Sequence, residues 1–363
     1  MAFPVQIDDL PSRPAQAWRV SRAGLASSLF QTARLGPRER FAAWRESIGV
    51  LMDVSLAPGD SADRFAASVE SYLIDGIMLS RCVAGQQKFS RPVSKFARDG
   101  IDHYMIQLFI RGRLDMRRGR QPIRGQGGSI VAFDCGDVLD SINSDFDLLS
   151  IFIPRRRLAP LLRRPDSLHG VCPDPESGAG RMLTGFLLDL YLNAPWLAER
   201  DAKVMADMLI TLVAQAMNHT APRDLSQEDG MHACLLRARS YIRAHLADSG
   251  LGEEEVAAAA GISLPELRHL FEPVGGLNAF VTEQRLRLAA ARLREGEGAG
   301  WAGLSREVGF SSQSAFRKAF RARFGCTPDD VWHGRRVIGR ADRHALSPLC
   351  GDRAYEDWIV CLA

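Results

Sequence analysis

Two stretches near the carboxy-terminal end follow one plan, and that plan restricts the fold more than any other feature. In "LGEEEVAAAAGISLPELRHLF" (251–271) and "WAGLSREVGFSSQSAFRKAFRARFG" (301–325), an apolar-spaced run stops at a glycine and a serine opens a second run. Gly261 and Gly309 can supply the left-handed backbone of a tight helix-turn-helix corner. Ser263, and Ser311 or Ser312, can cap the helix that follows. At about 100° per residue, Leu267, Leu270 and Phe271 form the inner face of the first capped helix. In the second, Phe316 and Phe320 point one way, with Phe324 close by. Ser314, Arg317, Lys318 and Arg321 point roughly opposite. A helix built this way docks through its aromatics and leaves a polar, cationic side for a partner, which suits a DNA major groove.

Taken alone, either stretch reads equally as a core helix with a solvated basic face. The repetition argues otherwise. The expected caps, Ser263 and Ser312, lie 49 residues apart, and Ala257 and Ser305 are small residues where paired helices cross closely. Between the units, "NAFVTEQRLRLAAARLREG" reads as one helix of about 17 residues, roughly 25 Å long. A rod of that length suits two readers about one DNA turn, roughly 34 Å, apart. Charge agrees with this. Residues 237–340 hold 16 basic and 12 acidic side chains, about +4, whereas the whole chain carries +3. The cationic excess therefore sits where a polyanion would be met.

The duplicated unit, the "RLRLAAARL" helix and the ending "VGFSSQSAFRKAFRARFGCTP" resemble the DNA-binding domain of the AraC/XylS family of bacterial transcription regulators, over about residues 235–334. The resemblance implies base-facing roles for Gln313, Ser314, Arg317 and Lys318 in the second unit, and for Pro265, Arg268 and His269 in the first. It makes Ser263, Ser312 and Arg321 phosphate-contacting or capping residues. The first unit departs from the pattern. Glu272 stands where a basic residue is usual, Glu266 adds a second acid, and Pro273 must end the helix early. The first unit is thus expected to be the weaker, less basic reader.

The amino-terminal half has a different texture. Short apolar runs such as "DGIMLSRCVAG", "DHYMIQLFIRGRLDM", "RGQGGSIVAFD" and "FDLLSIFIP" alternate with Gly, Pro and Asp punctuation, as in a small antiparallel barrel or sandwich. Neither alternating set of "HYMIQLFI" is strongly polar, which predicts a strand covered on both faces. A short helix is expected around "PRERFAAWRESIGVLM", and amphipathic helices in "GRMLTGFLLDLYLNA" and "RDAKVMADMLITLVAQAMN". "RERFAAWRESIG", "GGSIVAFD" and "IFIPRRRLAPLL" are similar to the AraC-binding-like sensor domain, over about residues 30–215. That similarity implies a cupin-like barrel followed by helices that make a homodimer. A barrel mouth suits a small organic effector, with Arg91, His103 and Gln107 as candidate polar contacts.

The expected fold class is therefore α+β multidomain: an N-terminal cupin-like β-barrel with helices, and a C-terminal all-α double helix-turn-helix. The expected boundaries are a sensor and dimerisation domain over 1–217, a linker over 218–230 and a reader over 231–336. The tail, 337–363, is unassigned, with an apolar end able to dock on the body. Seven scattered cysteines without CxxC argue against disulfides and structural zinc. The opening "MAFPVQIDDLPSRP" has no signal-peptide core, and no run is long enough to span a membrane. A cytoplasmic, nucleoid-associated protein is expected. Before residue 219 only His103 and His169 occur, and no phosphate loop, GxSxG or HExxH motif appears. That disfavours a cupin-type metal enzyme and leaves no cofactor expected. The expected partners are double-stranded promoter DNA, RNA polymerase and a small organic effector; gating by a protein partner is the alternative.

Overall fold

Asp75 (φ 44°) and Gly76 (φ 73°) hold the left-handed backbone of a two-residue hairpin turn. Strands β3 (Ala67–Ile74) and β4 (Ile77–Ala84) consequently pair from Ile74–Ile77 down to Ala67–Ala84. The computed structural model describes residues 24–57, 60–92, 95, 101–118, 121–220, 231–295, 301–333 and 350–362. The remaining strands are β1 (Ala26–Gln31), β2 (Asp53–Leu56), β5 (Gln87–Arg91), β6 (Tyr104–Arg111), β7 (Arg113–Arg118), β8 (Gln121–Gln126), β9 (Ile130–Asp134), β10 (Leu139–Asn143) and β11 (Phe146–Ile153). They form a six-stranded sheet, β1-β3-β4-β11-β6-β9, and a five-stranded sheet, β2-β5-β10-β7-β8. Every strand pairing is antiparallel. The expected barrel thus takes the form of two sheets, with Val69, Phe89, Phe109, Phe133 and Leu148 in one shared core.

The other face of the six-stranded sheet is covered as well. Helices α1 (Pro37–Ile48) and α2 (Arg155–Leu158) are followed by α3 (Gly178–Asn193) and α4 (Glu199–Asn218). Leu183, Leu187, Leu209 and Val213 of α3 and α4 pack with Ile106, Leu108, Leu149 and Ile151 of the sheet. Strand β6 shows why its sequence lacks a polar face: Ile106 and Leu108 join the helical side, while Met105 and Phe109 join the inter-sheet core. Fully burying each such side chain stabilises by roughly 1.5–3 kcal/mol, so a polar residue in place of any of these four would be destabilising.

The remaining helices are α5 (Met231–Ala244), α6 (Glu253–Ala260), α7 (Leu264–Phe271), α8 (Leu277–Glu295), α9 (Trp301–Glu307), α10 (Gln313–Phe324), α11 (Pro328–Trp332) and α12 (Ala354–Cys361). Helices α5 to α11 build two small cores on one rod. Leu277, Phe280 and Val281 of α8 pack with Val256, Leu267 and Phe271. Leu286, Ala289 and Leu293 of the same helix pack with Leu304, Phe316 and Phe320. At 19 residues, α8 is slightly longer than its sequence suggests, about 28 Å.

Two boundaries shift. Helix α4 reaches Asn218, and His219 caps it by donating to Gln215, so the first two residues assigned to the linker continue the helix. Residues 221–230 of that segment lie outside the described residues. Helix α12 returns to the amino-terminal half, where Cys350, Tyr355, Ile359 and Leu362 join the inter-sheet core. The expected docking of the apolar end is therefore on the amino-terminal half. The halves also meet directly: Ser240 of α5 donates to Asp166 at 2.6 Å, and Arg243 pairs with the same carboxylate.

Candidate nucleic-acid interface and sensor cavity

Both corners close with the same hydrogen bonds. After α6, Gly261 N–H donates to Ala258 and Ile262 N–H to Ala257. After α9, Gly309 N–H donates to Arg306 and Phe310 N–H to Ser305. This is the Schellman pattern, which needs a left-handed residue after the helix; Gly261 has φ 70° and Gly309 φ 90°. The two glycines differ in their surroundings. A Cβ on Gly309 would lie 2.3 Å from the carbonyl of Leu246, whereas one on Gly261 would meet only Arg237 Nη2, at 3.7 Å. The second corner is also one residue longer, since the glycines are 48 apart and the caps 49.

Ser263 Oγ accepts from Glu266 N–H, and Ser312 Oγ accepts from Ala315 N–H at 3.2 Å. In the first unit the acid answers back. Glu266 accepts from both the backbone and the hydroxyl of Ser263, at 2.8 and 2.7 Å. Those bonds hold its carboxyl below the usual glutamate range. Ala315, which replaces Glu266 in the second unit, leaves that helix start without an anion.

Helix α7 presents Pro265, Arg268 and His269 to solvent and buries Leu267, Leu270 and Phe271. Its basic side chains face acids: Arg268 Nε lies 2.8 Å from Glu253, and His269 Nδ1 lies 3.3 Å from Glu272. Pro273 ends the helix after Phe271, where a short 3-10 turn takes over. Helix α10 buries Phe316 and Phe320 completely and exposes Gln313, Ser314, Arg317, Lys318 and Arg321. Arg323, the fourth cation of this stretch, turns back to Glu283 of α8 at 2.9 Å. It fastens the helix to the rod and leaves the basic outer face to Arg317, Lys318 and Arg321.

A cavity of about 60 Å³ lies between the sheets. Met78, Met105, Phe89, Leu148 and Phe152 make its walls apolar, and Ser80, Gln107, Ser150, Ser141 and Asn143 supply polar groups. Among the described residues, no charged side chain lines it. Of the three expected effector contacts, Gln107 is on the wall, donating to Ser150 Oγ at 3.2 Å. Arg91 is elsewhere. Only 1% exposed, its guanidinium donates to the carbonyls of Cys135, Leu51 and Ile101, at 2.6, 2.5 and 3.0 Å. A buried guanidinium must satisfy its donors, and here backbone oxygens do so, which removes it from effector binding. His103 is fully buried and donates from Nε2 to the carbonyl of Ile359 in α12, at 2.8 Å. Burial pushes its pKa down, with Arg287 and Arg91 adding to the effect against Asp102 and the Ile359 carbonyl. It therefore stays neutral.

Sequence reasoning missed Tyr355 and Ile359, which close the cavity from the far end of the chain. Their spacing of four, in "AYEDWIVC", was the only local signal. It also missed the cluster between the halves. Arg155 pairs with Asp134 and lies 3.4 Å from Asp102 and 3.3 Å from Asp166. Burial raises the Asp134 carboxyl, but Arg155 and Arg239 outweigh it and hold the group below its ordinary range. Arg239 itself is pushed down to about 10, by burial first and by Arg243 next.

Comparison with known proteins agrees with both halves. Residues 44–218 match the AraC-binding-like domain family, and residues 256–332 match a helix-turn-helix domain family. The chain is similar to the transcriptional activator NphR of Rhodococcus sp, with 27% identity over 245 residues, 63% of this chain and 70% of that one. It is 39% identical over 73 residues to the virulence regulon transcriptional activator VirF of Yersinia enterocolitica, covering 20% and 27% of the two chains. The crystal structure of the AraC-like transcriptional activator CuxR superposes with a TM-score of 0.56 at 21% identity, covering 74% of this chain and 96% of that one. At that identity the likeness speaks for the fold.

Proposed function

Since the chain belongs to the AraC/XylS family of DNA-binding transcription regulators, we propose that it activates transcription from an operator with two half-sites about one turn apart. The observation that carries this reading is the exposed face of α10, with Arg317, Lys318 and Arg321 on a helix whose first turn carries no carboxylate. Arg317 and Lys318 read base edges, with Gln313 and Ser314 beside them. Arg321 and the Ser312 end of the helix take phosphates. Helix α7 reads the second half-site through Pro265, Arg268 and His269, with Ser263 at the backbone.

The proposal extends to the amino-terminal half. A small organic molecule in the cavity, met by Gln107, sets the activity of the reader. A homodimer forms through α3 and α4; Met182, Val204 and Met208 are exposed there, and Trp196 between them is 82% exposed. Apolar groups so placed are what a partner surface requires. The dimer works in the cytoplasm on nucleoid DNA and recruits RNA polymerase. Among the described residues no helix is long and apolar enough to cross a membrane.

Footprinting of the full chain tests the reading. Strong protection is expected over the half-site bound by α10, with weaker protection about one turn away. Protection unchanged in Arg317→Ala, with unchanged salt dependence, would remove α10 as the reader.

A further inference from the structure

The segment Cys350–Leu362 lies outside both matched family regions, yet it is built into the sensor half by specific contacts. Gly351 forms a bridge to Phe30, with φ 81°, and a Cβ there would sit 2.2 Å from the carbonyl of Leu29. Asp352 accepts from Ser28 Oγ and from Leu29 N–H. Arg353 reaches Glu46 at 3.0 Å and pairs with Glu356. Ser47 Oγ donates to Glu356 at 2.5 Å, so the Tyr355 hydroxyl, 2.6 Å away, donates to Ser47. The Ile359 carbonyl takes the His103 proton. All these polar contacts hold the helix in place, and Tyr355 and Ile359 project into the cavity wall.

With the helix docked, about 60 Å³ remains free. A dry cavity of roughly 150 Å³ admits benzene, and sites for drug-sized ligands are on the order of 300 Å³ or more. An effector of ordinary size and the docked helix therefore cannot share the space. Resting on the effector reading of this cavity, we propose that α12 is an internal competitor of the effector. The molecule that displaces it is uncharged and mostly apolar, and carries an oxygen that accepts a hydrogen bond. The lining, uncharged among the described residues, sets the first property. His103 sets the second: it is not itself a wall residue, but its buried Nε2–H meets the carbonyl of Ile359, which is, and once that carbonyl leaves the donor is costly to leave bare unless the ligand supplies an acceptor. The helix follows the reader in the chain, beyond residues 334–349, so evicting it cuts a tie between reader and sensor. Because helix and ligand exclude each other, each weakens the other's apparent binding by the same factor.

The test is fluorescence titration of the full chain with N-phenyl-1-naphthylamine, an uncharged apolar probe. Three variants accompany the wild type: Gly351→Ala and Arg353→Ala, which loosen docking without lining the cavity, and Leu148→Trp, which fills the cavity from the sheet. Competition predicts at least about tenfold tighter probe binding for Gly351→Ala, a smaller gain for Arg353→Ala, and loss for Leu148→Trp. In the wild type, saturating probe should speed amide exchange in 354–361. If Leu148→Trp loses the probe while the loosened variants bind it equally or more weakly, and exchange slows, the helix is a fixed wall. The competitor proposal then fails while the cavity reading stands. Retained binding in Leu148→Trp, or no binding to any variant, would overturn both.

Discussion

The two helix-turn-helix units share a corner but differ in what stands beside their cations. Both close with the same Schellman bonds and a serine cap. In the first, Arg268 and His269 are matched by Glu253 and Glu272, and Glu266 occupies the helix start. In the second, Ala315 and Arg321 stand where Glu266 and Glu272 would be, and Arg323 is turned inward to Glu283. The backbone plan is thus independent of the binding chemistry. Corner geometry depends on glycine and serine, whereas affinity for a polyanion depends on whether a cation must first leave an acid.

The largest expected effect concerns the corners themselves. Gly309→Ala combines left-handed strain with a collision at the Leu246 carbonyl and should destabilise the reader by roughly 3 kcal/mol or more. Gly261→Ala carries the strain alone, roughly 1–2 kcal/mol. Denaturant titration of the two variants measures the difference, and equal losses would mean that the corners are equivalent after all.

Next come the base contacts. Arg317→Ala should weaken operator binding by roughly 1–3 kcal/mol and relax one base preference. Arg268→Ala should cost less than about 1 kcal/mol, because the removed side chain had to leave Glu253 to bind. The reverse order in gel-shift titrations would make the upstream unit the principal reader.

Salt dependence separates phosphate contacts from base contacts. Arg321→Ala should flatten the slope of log affinity against log salt by about one unit, and weaken all sequences alike. Glu272→Lys should steepen it by about one unit and tighten binding at low salt, leaving the consensus read by α10 unchanged. A slope unmoved by Glu272→Lys would show that α7 does not approach phosphate.

The smallest effect is a difference on the acid side. Hydrogen bonds from Ser263 lower the Glu266 pKa. The folded state then binds fewer protons than the unfolded one near that pH, so this contribution is present above the usual glutamate value. It fades as pH falls through the lowered one. Amide exchange at the start of α7 should therefore quicken as the solution turns acidic, while Ala315 gives the start of α10 no such response. Identical pH profiles would indicate that the Glu266 contact is absent in solution.

Local rules made much of this legible. Gly261, Gly309, Ser263 and Ser312 reveal the corners because each φ and cap is settled by a residue and its near neighbours. Likewise the lack of a polar face in β6 anticipated its double covering. Arg91 was misread because a sequence does not tell which carbonyls a folded chain brings around a guanidinium. Tyr355 escaped notice for a similar reason: it meets Ser47 across 308 residues, and no periodicity encodes a contact so distant. The pairing of Arg268 with Glu253 spans only 15 residues, but it depends on the angle at which α6 and α7 cross.

Because α8 packs against both small cores, its length carries an angular meaning. One inserted residue would advance the second core by only about 1.5 Å but turn it by about 100°, away from the partners of Leu286, Ala289 and Leu293. Seven residues nearly restore the azimuth, with a drift of about 20°, and lengthen the rod by about 10.5 Å. On B-DNA that is roughly three base pairs, far from a whole turn, so a lengthened rod would aim its second helix at the wrong side of the duplex. Protein and duplex thus run on incommensurate pitches. On the proposed operator with two half-sites, their spacing is locked to this helix: an operator that gained or lost a base pair could not be followed by a matching change of one residue in the rod.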